Sequence, residues 1–157
     1  MLNLTLAVAQ YKIEGFNWPK VHVALVAFSP GHAHAYLFQF WGNTDTFAFR
    51  YCEVDHLLKT SKLQGGVKIG EVNDGVVRSG WLTGVLGDRI IVWRRDPTYN
   101  CQVWLLDAVR ELQLYRDQVF IIPDFSREWL YGALKHQYLT WEQANDHYFE
   151  TVMPPRK

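Results

Sequence analysis

In the first third of the chain, apolar and polar residues alternate or form short apolar runs, a pattern that is typical of β-strands. The predicted strands cover residues 2–13, 20–28, 33–41 and 46–54. The run 20–28 is apolar on both faces apart from His22, which predicts a central strand. Pro30 and Gly31 have the sequence of a type II turn, so the second and third strands are expected to form a hairpin.

The rest of the chain combines helical patterns with shorter apolar runs. Asp55 is the expected cap of a short helix through Leu63, which Gly65 and Gly66 would end. Further short strands are predicted at 67–72, 89–93 and 119–122. Helices are predicted at 76–86, from Cys101 to about Arg116, from Asp124 or Ser126 to about Tyr138, and after a capping box Thr140-x-x-Gln143. Strands followed by helices predict one α+β domain over residues 1–157, with an antiparallel sheet of about five strands.

The stretch 96–107 contains the strongest candidate for chemistry. Asn100 is a good N-cap, and Cys101 would then lie in the first turn of an amphipathic helix, beside unpaired N–H groups. The positive end of the helix dipole stabilises a thiolate there, which predicts a lowered pKa for Cys101. The alternative is structural, because Cys101 also lies on the apolar stripe of the helix and free cysteines are often buried as small hydrophobes.

Composition narrows the class of protein. The 157 residues are 48% hydrophobic and 20% charged, which is typical of a globular domain, and a formal net charge of zero argues against nucleic-acid partners. No apolar run is long enough for a membrane span. The N-terminus is not typical of a signal peptide, so two cysteines favour a reducing, cytoplasmic setting. Glycines between Gly65 and Gly87 match no dinucleotide or phosphate-binding motif, and no cofactor is predicted.

A cysteine nucleophile needs a base, which is usually a histidine. His22 interrupts an apolar strand and needs a buried partner, either as a catalytic base or as a core histidine bonded to a carbonyl. His32 and His34 have the spacing of a metal pair, but a third ligand (Asp45, Glu53 or His56) would have to come from the fold. A metal-dependent enzyme is therefore a minor alternative, and no metal site is predicted.

Three pieces of the sequence resemble the circularly permuted NlpC-like thiol enzymes of the papain superfamily, which include the lecithin:retinol acyltransferase-like and PPPDE-type proteins. These pieces are His22-Val-Ala-Leu-Val26, His34 in Ala33-His-Ala-Tyr-Leu37, and Asn100-Cys-Gln-Val-Trp104. The resemblance implies a papain-like fold, Cys101 as nucleophile, His22 as base and His34 as the residue that orients the base. It covers about half the chain. Gln102, Val103 and Trp104 replace the Glu-His-Phe of the acyltransferase-like branch, so retinoid or phospholipid acyl transfer is not implied.

Strand geometry gives a test of this triad. With a two-residue loop at Pro30 and Gly31, His22 lies opposite Gln39 and His34 points to the other face of the sheet. The triad therefore requires a bulge or a longer loop. Without one, Gln39 replaces His34 as the residue that orients His22.

The expected function is that of a cysteine hydrolase or acyltransferase acting on a small-molecule or peptide acyl substrate through a thioester. Backbone N–H groups at Cys101 and Gln102, next to Asn100, are expected to help form an oxyanion hole. The alternative function is a non-catalytic binding module with the same fold. Its aromatic cleft would be contacted by Tyr36, Trp41 and Trp81.

Overall fold

The computed structural model describes residues 3–16, 18–29, 34–41, 48–55, 63–88, 90 and 100–144. Within these residues, six strands form one antiparallel sheet in the order β4-β3-β2-β1-β5-β6, accompanied by four helices. The elements are β1 (Asn3–Lys12), β2 (Val21–Phe28), β3 (Ala35–Trp41), β4 (Ala48–Val54), β5 (Leu63–Asn73), α1 (Asp74–Arg78), α2 (Trp81–Asp88), α3 (Cys101–Leu112), β6 (Val119–Ile121) and α4 (Arg127–Ala144). The predicted α+β class is confirmed, with six strands in the described part of the chain instead of about five.

Both faces of the sheet are buried at the central strands β1 and β2, as the apolar run of β2 predicts. Along β2 the odd-numbered residues, such as Val23 and Leu25, join the main core, which the buried face of α3 also contributes to. The even-numbered residues, such as Val26 and Phe28, join a second apolar cluster on the other face. Because side chains alternate along a strand, His22 lies on the face of this second cluster.

Helix α3 packs on β2 and β3 through the apolar stripe that its sequence predicts. Trp104 is completely buried and stacks between Phe40 and Phe49, with ring centroids 6.1 and 5.7 Å away. Large aromatic side chains bury much apolar area, so this stack anchors the first turns of the helix on the sheet. The position of Cys101 at the start of α3 is therefore fixed by packing as well as by the cap.

Several element boundaries differ from the sequence prediction. Gly65 and Gly66 lie inside β5, which begins at Leu63, and do not end a helix. The predicted helix 76–86 is two helices, α1 and α2, separated by a turn at Gly80. Gly80 has φ 85°, a left-handed conformation that ends a helix and favours glycine.

The last part of the chain also departs from the prediction. Helix α3 ends at Leu112, not near Arg116. Thr140 does not open a new helix, because α4 runs without a break from Arg127 to Ala144. The predicted helix from Asp55 and the predicted strand 89–93 fall largely outside the described residues. The predicted strand at 119–122 is confirmed as β6.

The register of β2 and β3 decides which polar residues share a face. Leu25 pairs with Phe38 and Phe28 pairs with Ala35, so the connection spans residues 29–34 and is longer than the predicted two-residue loop. The register is shifted by two residues relative to the ideal hairpin. A shift by an even number leaves every side chain on its predicted face.

Candidate functional site

The N-terminus of α3 is capped by Asn100. Its backbone is extended, and its Oδ1 accepts hydrogen bonds from the backbone N–H groups of Gln102 and Val103, each at 3.0 Å. Both bonds satisfy donors that the first turn of a helix otherwise leaves unpaired. The prediction of the cap is confirmed, and Asn100 has a structural role at this position.

The Cys101 thiol points at the backbone of β2. Its Sγ lies 3.9 Å from the carbonyl oxygen of Val21, and the backbone N–H groups of Val23, Cys101 and Gln102 favour its charged form. The nucleophile candidate is thus held beside the two residues that flank His22. Burial disfavours the thiolate more strongly than those N–H groups favour it, so the pKa of Cys101 is raised and the predicted lowering of this pKa is wrong.

The side chain of Gln102 connects three elements. Its Nε2 donates to the carbonyl oxygens of Pro19 at 2.9 Å and Val21 at 3.1 Å, and its Oε1 accepts from the Tyr131 hydroxyl at 3.2 Å. Gln102 therefore fixes the start of α3 against β2 and α4. Its backbone N–H is engaged by the Asn100 cap, which limits the part it can play in an oxyanion hole.

His22 is oriented by Gln39, the alternative that strand geometry predicts. His22 Nε2 lies 2.7 Å from Gln39 Oε1. A carboxamide oxygen only accepts, so Nε2 carries the hydrogen and Nδ1 is the basic nitrogen of the neutral ring. Burial lowers the pKa of His22, while the bond to Gln39 raises it. The ring is therefore a neutral base near pH 7, packed against Tyr11 with ring centroids 6.0 Å apart.

His34 does not take part in this arrangement. It precedes β3, next to the end of β2, whereas Cys101 lies beside the start of β2, roughly 25 Å away along the strand. Its ring is half exposed and bonded on both sides, by Glu53 Oε1 at 3.0 Å and Asp55 Oδ1 at 3.2 Å. The expectation that His34 orients His22 is wrong, because the longer loop keeps the two residues on opposite faces of the sheet.

The structure thus brings together His22 and Gln39, and it places the Cys101 thiol against the backbone on either side of His22. Among the described residues no hydrogen bond joins Cys101 Sγ to a nitrogen of His22. Catalytic hydrogen bonds are often long before substrate binds, and they tighten in the reacting complex. His22, however, leaves β2 on the face of the second apolar cluster, whereas Cys101 packs on the main-core face with α3, so the thiol and the oriented base lie on opposite faces of the sheet.

The aromatic residues predicted to line a cleft lie elsewhere. Trp81 packs edge-on against Tyr115, beyond the C-terminal end of α3 and about 18 Å from Cys101 along the helix. Tyr36 contacts His34 and Tyr51 at the other end of β2. The side chain of Trp41 lies outside the described residues. Tyr36 and Trp81 therefore do not form a cleft at Cys101.

A cavity that the sequence does not predict borders the His22 and Gln39 pair. It measures about 490 Å³ and is lined by Gln39, Arg50, Tyr51 and Cys52. Arg50 pairs directly with Gln39 across β3 and β4, and Cys52 follows on the same face. The sequence does not predict that Gln39, Arg50 and Cys52 share a face, because this depends on the register of β3 and β4.

Cys52 and Cys101 are both free thiols. In the part of the chain that the structure describes, no group of three His, Cys, Asp or Glu side chains is arranged to hold a metal ion. His32, Asp45 and His56, which the metal alternative requires, lie outside that part. None of the helices described there has the length and apolar character needed to cross a bilayer.

Comparisons with known proteins give no family. No protein-family model, no curated protein and no solved structure matches the chain. The resemblance to the permuted papain-like enzymes therefore depends on the residues of the motif alone.

Proposed function

We propose that this protein is a cysteine-dependent hydrolase or acyltransferase that uses Cys101 as nucleophile, His22 as base and Gln39 to orient the base. The observation that carries the proposal is the 2.7 Å bond between His22 Nε2 and Gln39 Oε1, which fixes the basic nitrogen of a buried neutral ring. The ring and the Cys101 thiol lie on opposite faces of β2, and Sγ is 3.9 Å from Val21 O. β2 pairs with β3 only from Leu25 onward, so the proposal requires proton transfer past the unpaired edge of β2 at Val21 and Val23. A thiol, a neutral base and a group that orients the base meet the requirements of nucleophilic catalysis.

The raised pKa of Cys101 and the lowered pKa of His22 imply a reaction that starts from a neutral pair. As Cys101 Sγ attacks the acyl carbonyl, its proton moves to His22 Nδ1, and the bond to Gln39 stabilises the resulting imidazolium. His22 then returns the proton to the departing alcohol, amine or thiol, which leaves a thioester on Cys101. Water or an amine, deprotonated by His22, releases the acyl group and restores the thiol.

The chain order of the motif supports a divergent papain-like assignment, with a strand histidine, a partner on the next strand and a later Asn-Cys that opens a helix. Gln39 takes the place that the motif alone assigned to His34. The two free cysteines favour a reducing compartment such as the cytoplasm, and the proposed substrate is a small-molecule or peptide acyl compound.

Steady-state hydrolysis of p-nitrophenyl acetate and butyrate tests the proposal. We expect Cys101→Ala to abolish turnover and His22→Ala to lower kcat/KM by roughly 100-fold to 10,000-fold, the usual contribution of a general base. Gln39→Ala should lower kcat more than it raises KM, because Gln39 acts through the His22 tautomer. Cys52→Ser is the matched control and should retain the wild-type rate. Equal activity in wild type and Cys101→Ala would refute the proposal.

A second candidate function, a non-catalytic binding module, is supported by the environment of Cys101. The thiol is largely buried, its pKa is raised, and no hydrogen bond among the described residues joins it to His22. A binding module predicts that Cys101→Ala retains ligand affinity and that no variant changes a turnover rate. The ester assay therefore separates the two functions.

A further inference from the structure

Strand β4 forms one edge of the sheet. Its seven residues, Ala48–Val54, all pair with β3, and among the described residues no strand pairs with its other edge. Side chains of consecutive strand residues point to opposite faces, so a cavity that is lined by Arg50, Tyr51 and Cys52 together reaches this free edge. The cavity measures about 490 Å³, so open space lies next to the backbone N–H and C=O groups that an edge strand presents.

Most of the features that prevent an edge strand from pairing with another chain are absent from β4. Such edges are commonly protected by short length, proline, lysine or a β-bulge. β4 contains neither proline nor lysine, and its pairing with β3 has no register shift. The strand at the opposite edge, β6, has only three residues, Val119–Ile121. Tyr51, at the centre of β4, is 37% exposed and is accessible to a neighbouring strand.

We infer that β4 pairs antiparallel with β4 of a second copy of this chain, in the register that places Cys52 opposite Cys52 of the second copy. This register brings Tyr51 opposite Glu53 of the second copy, whose carboxylate can accept a hydrogen bond from the Tyr51 hydroxyl. Two-fold registers centred on Arg50 or on Glu53 would place like charges directly opposite each other. A register centred on Tyr51 would place Glu53 opposite the apolar Phe49. The charges of β4 therefore favour the register centred on Cys52.

The oligomeric state in solution tests this interface. A single pair of strands is a small interface, so we expect a reversible dimer with a dissociation constant of roughly 10–500 μM, measured by sedimentation velocity over a concentration series with a thiol reductant present. Tyr51→Glu places two carboxylates opposite each other at two positions, so it should raise the dissociation constant roughly tenfold. Combining Tyr51→Glu with Glu53→Lys restores opposite charges at those positions and should recover the dimer. Phe120→Glu is the matched control, because it adds the same charge to an exposed aromatic residue on the other edge, and it should change nothing.

Disulfide trapping tests the register while β4 keeps its own sequence. Residues directly opposite each other in antiparallel strands have Cα atoms about 4.5–5.5 Å apart, a separation that fits a disulfide. Diamide, which takes up the two electrons and two protons of a thiol pair, should therefore join two Cys101→Ser chains through Cys52, as read by non-reducing electrophoresis and peptide mass spectrometry. The Cys52→Ser protein, which keeps only Cys101, should cross-link far more slowly.

Three results would overturn the inference. The first is a protein that stays monomeric at every concentration. The second is a dimer that Tyr51→Glu leaves intact, or that the combination with Glu53→Lys does not recover. The third is cross-linking through Cys52 that is no faster than cross-linking through Cys101, which would exclude the register even if Tyr51→Glu failed to fold.

Discussion

The side chain of Gln102 offers the most direct test of how the site is assembled. Gln102→Ala removes the two bonds donated to Pro19 O and Val21 O, at 2.9 and 3.1 Å, and the bond accepted from the Tyr131 hydroxyl, at 3.2 Å. A hydrogen bond contributes about 0.5–1.5 kcal/mol net, and the Pro19 bond is exposed, so the three bonds together contribute roughly 1.5–3 kcal/mol. For a domain of this size that corresponds to a fall in Tm of roughly 3–12 °C.

Urea denaturation and calorimetry measure this loss, with Gln113→Ala as control, because Gln113 is exposed at the C-cap of the same helix. A double-mutant cycle identifies the source. Tyr131→Phe removes only the hydroxyl, so it should cost about 0.5–1.5 kcal/mol in the wild type and almost nothing in Gln102→Ala. A loss below 0.5 kcal/mol for Gln102→Ala, or additive effects in the cycle, would refute the view that Gln102 connects α3 to β2 and α4.

Three further predictions concern the site and the sheet. Because burial lowers the folded-state pKa of His22, the unfolded state binds more protons than the folded state below about pH 6.5, so the free energy of unfolding should fall as the pH drops below about 6.5, by at most about 1.4 kcal/mol per pH unit, and stay constant above it. Urea denaturation at pH 5.5 and 7.5 should show a smaller difference in stability for His22→Gln than for wild type. A His22 pKa above 6.5, measured by NMR, would contradict the lowered pKa. Burial raises the pKa of Cys101, so its alkylation by iodoacetamide should still accelerate above pH 9, whereas a plateau below pH 8 would contradict the raised pKa. A Cβ at Gly70 would lie 1.8 Å from the carbonyl oxygen of Phe120, so Gly70→Ala should displace β6 and destabilise the fold by about 1–3 kcal/mol, which calorimetry against Gly132→Ala, where a Cβ meets open space, would measure.

Local patterns predicted the parts of the fold that depend on short stretches of sequence. The run 20–28 predicted a central strand because only a strand buried on both faces needs apolar residues at successive positions. Asn100 predicted the start of α3 because its side chain reaches the N–H groups two and three residues on. The break at Gly80 was missed, because a glycine within a helical pattern does not itself reveal a left-handed conformation.

The parts of the site that depend on register and burial were only partly predictable. Alternation of side chains along the strands predicted Gln39 as the alternative partner of His22, and the structure confirms this contact. His34 could be excluded only from the structure, because the register of β2 and β3 determines which face it lies on. Arg50 beside Gln39 follows from the register of β3 and β4, which no local pattern specifies. The direction of the Cys101 pKa shift depends on burial in the tertiary structure, which raises the pKa more than the N–H groups at the start of the helix lower it.

Trapping of the acyl-enzyme tests directly whether Cys101 is the nucleophile and His22 its base. Wild-type protein and the variants His22→Ala and Cys52→Ser are mixed with p-nitrophenyl acetate, quenched in acid within seconds, and mapped by peptide mass spectrometry. We expect an acetyl thioester on Cys101 in wild type and Cys52→Ser, and its near absence in His22→Ala. Acetylation of Cys52 in preference to Cys101, or equal labelling of Cys101 with and without His22, would contradict it.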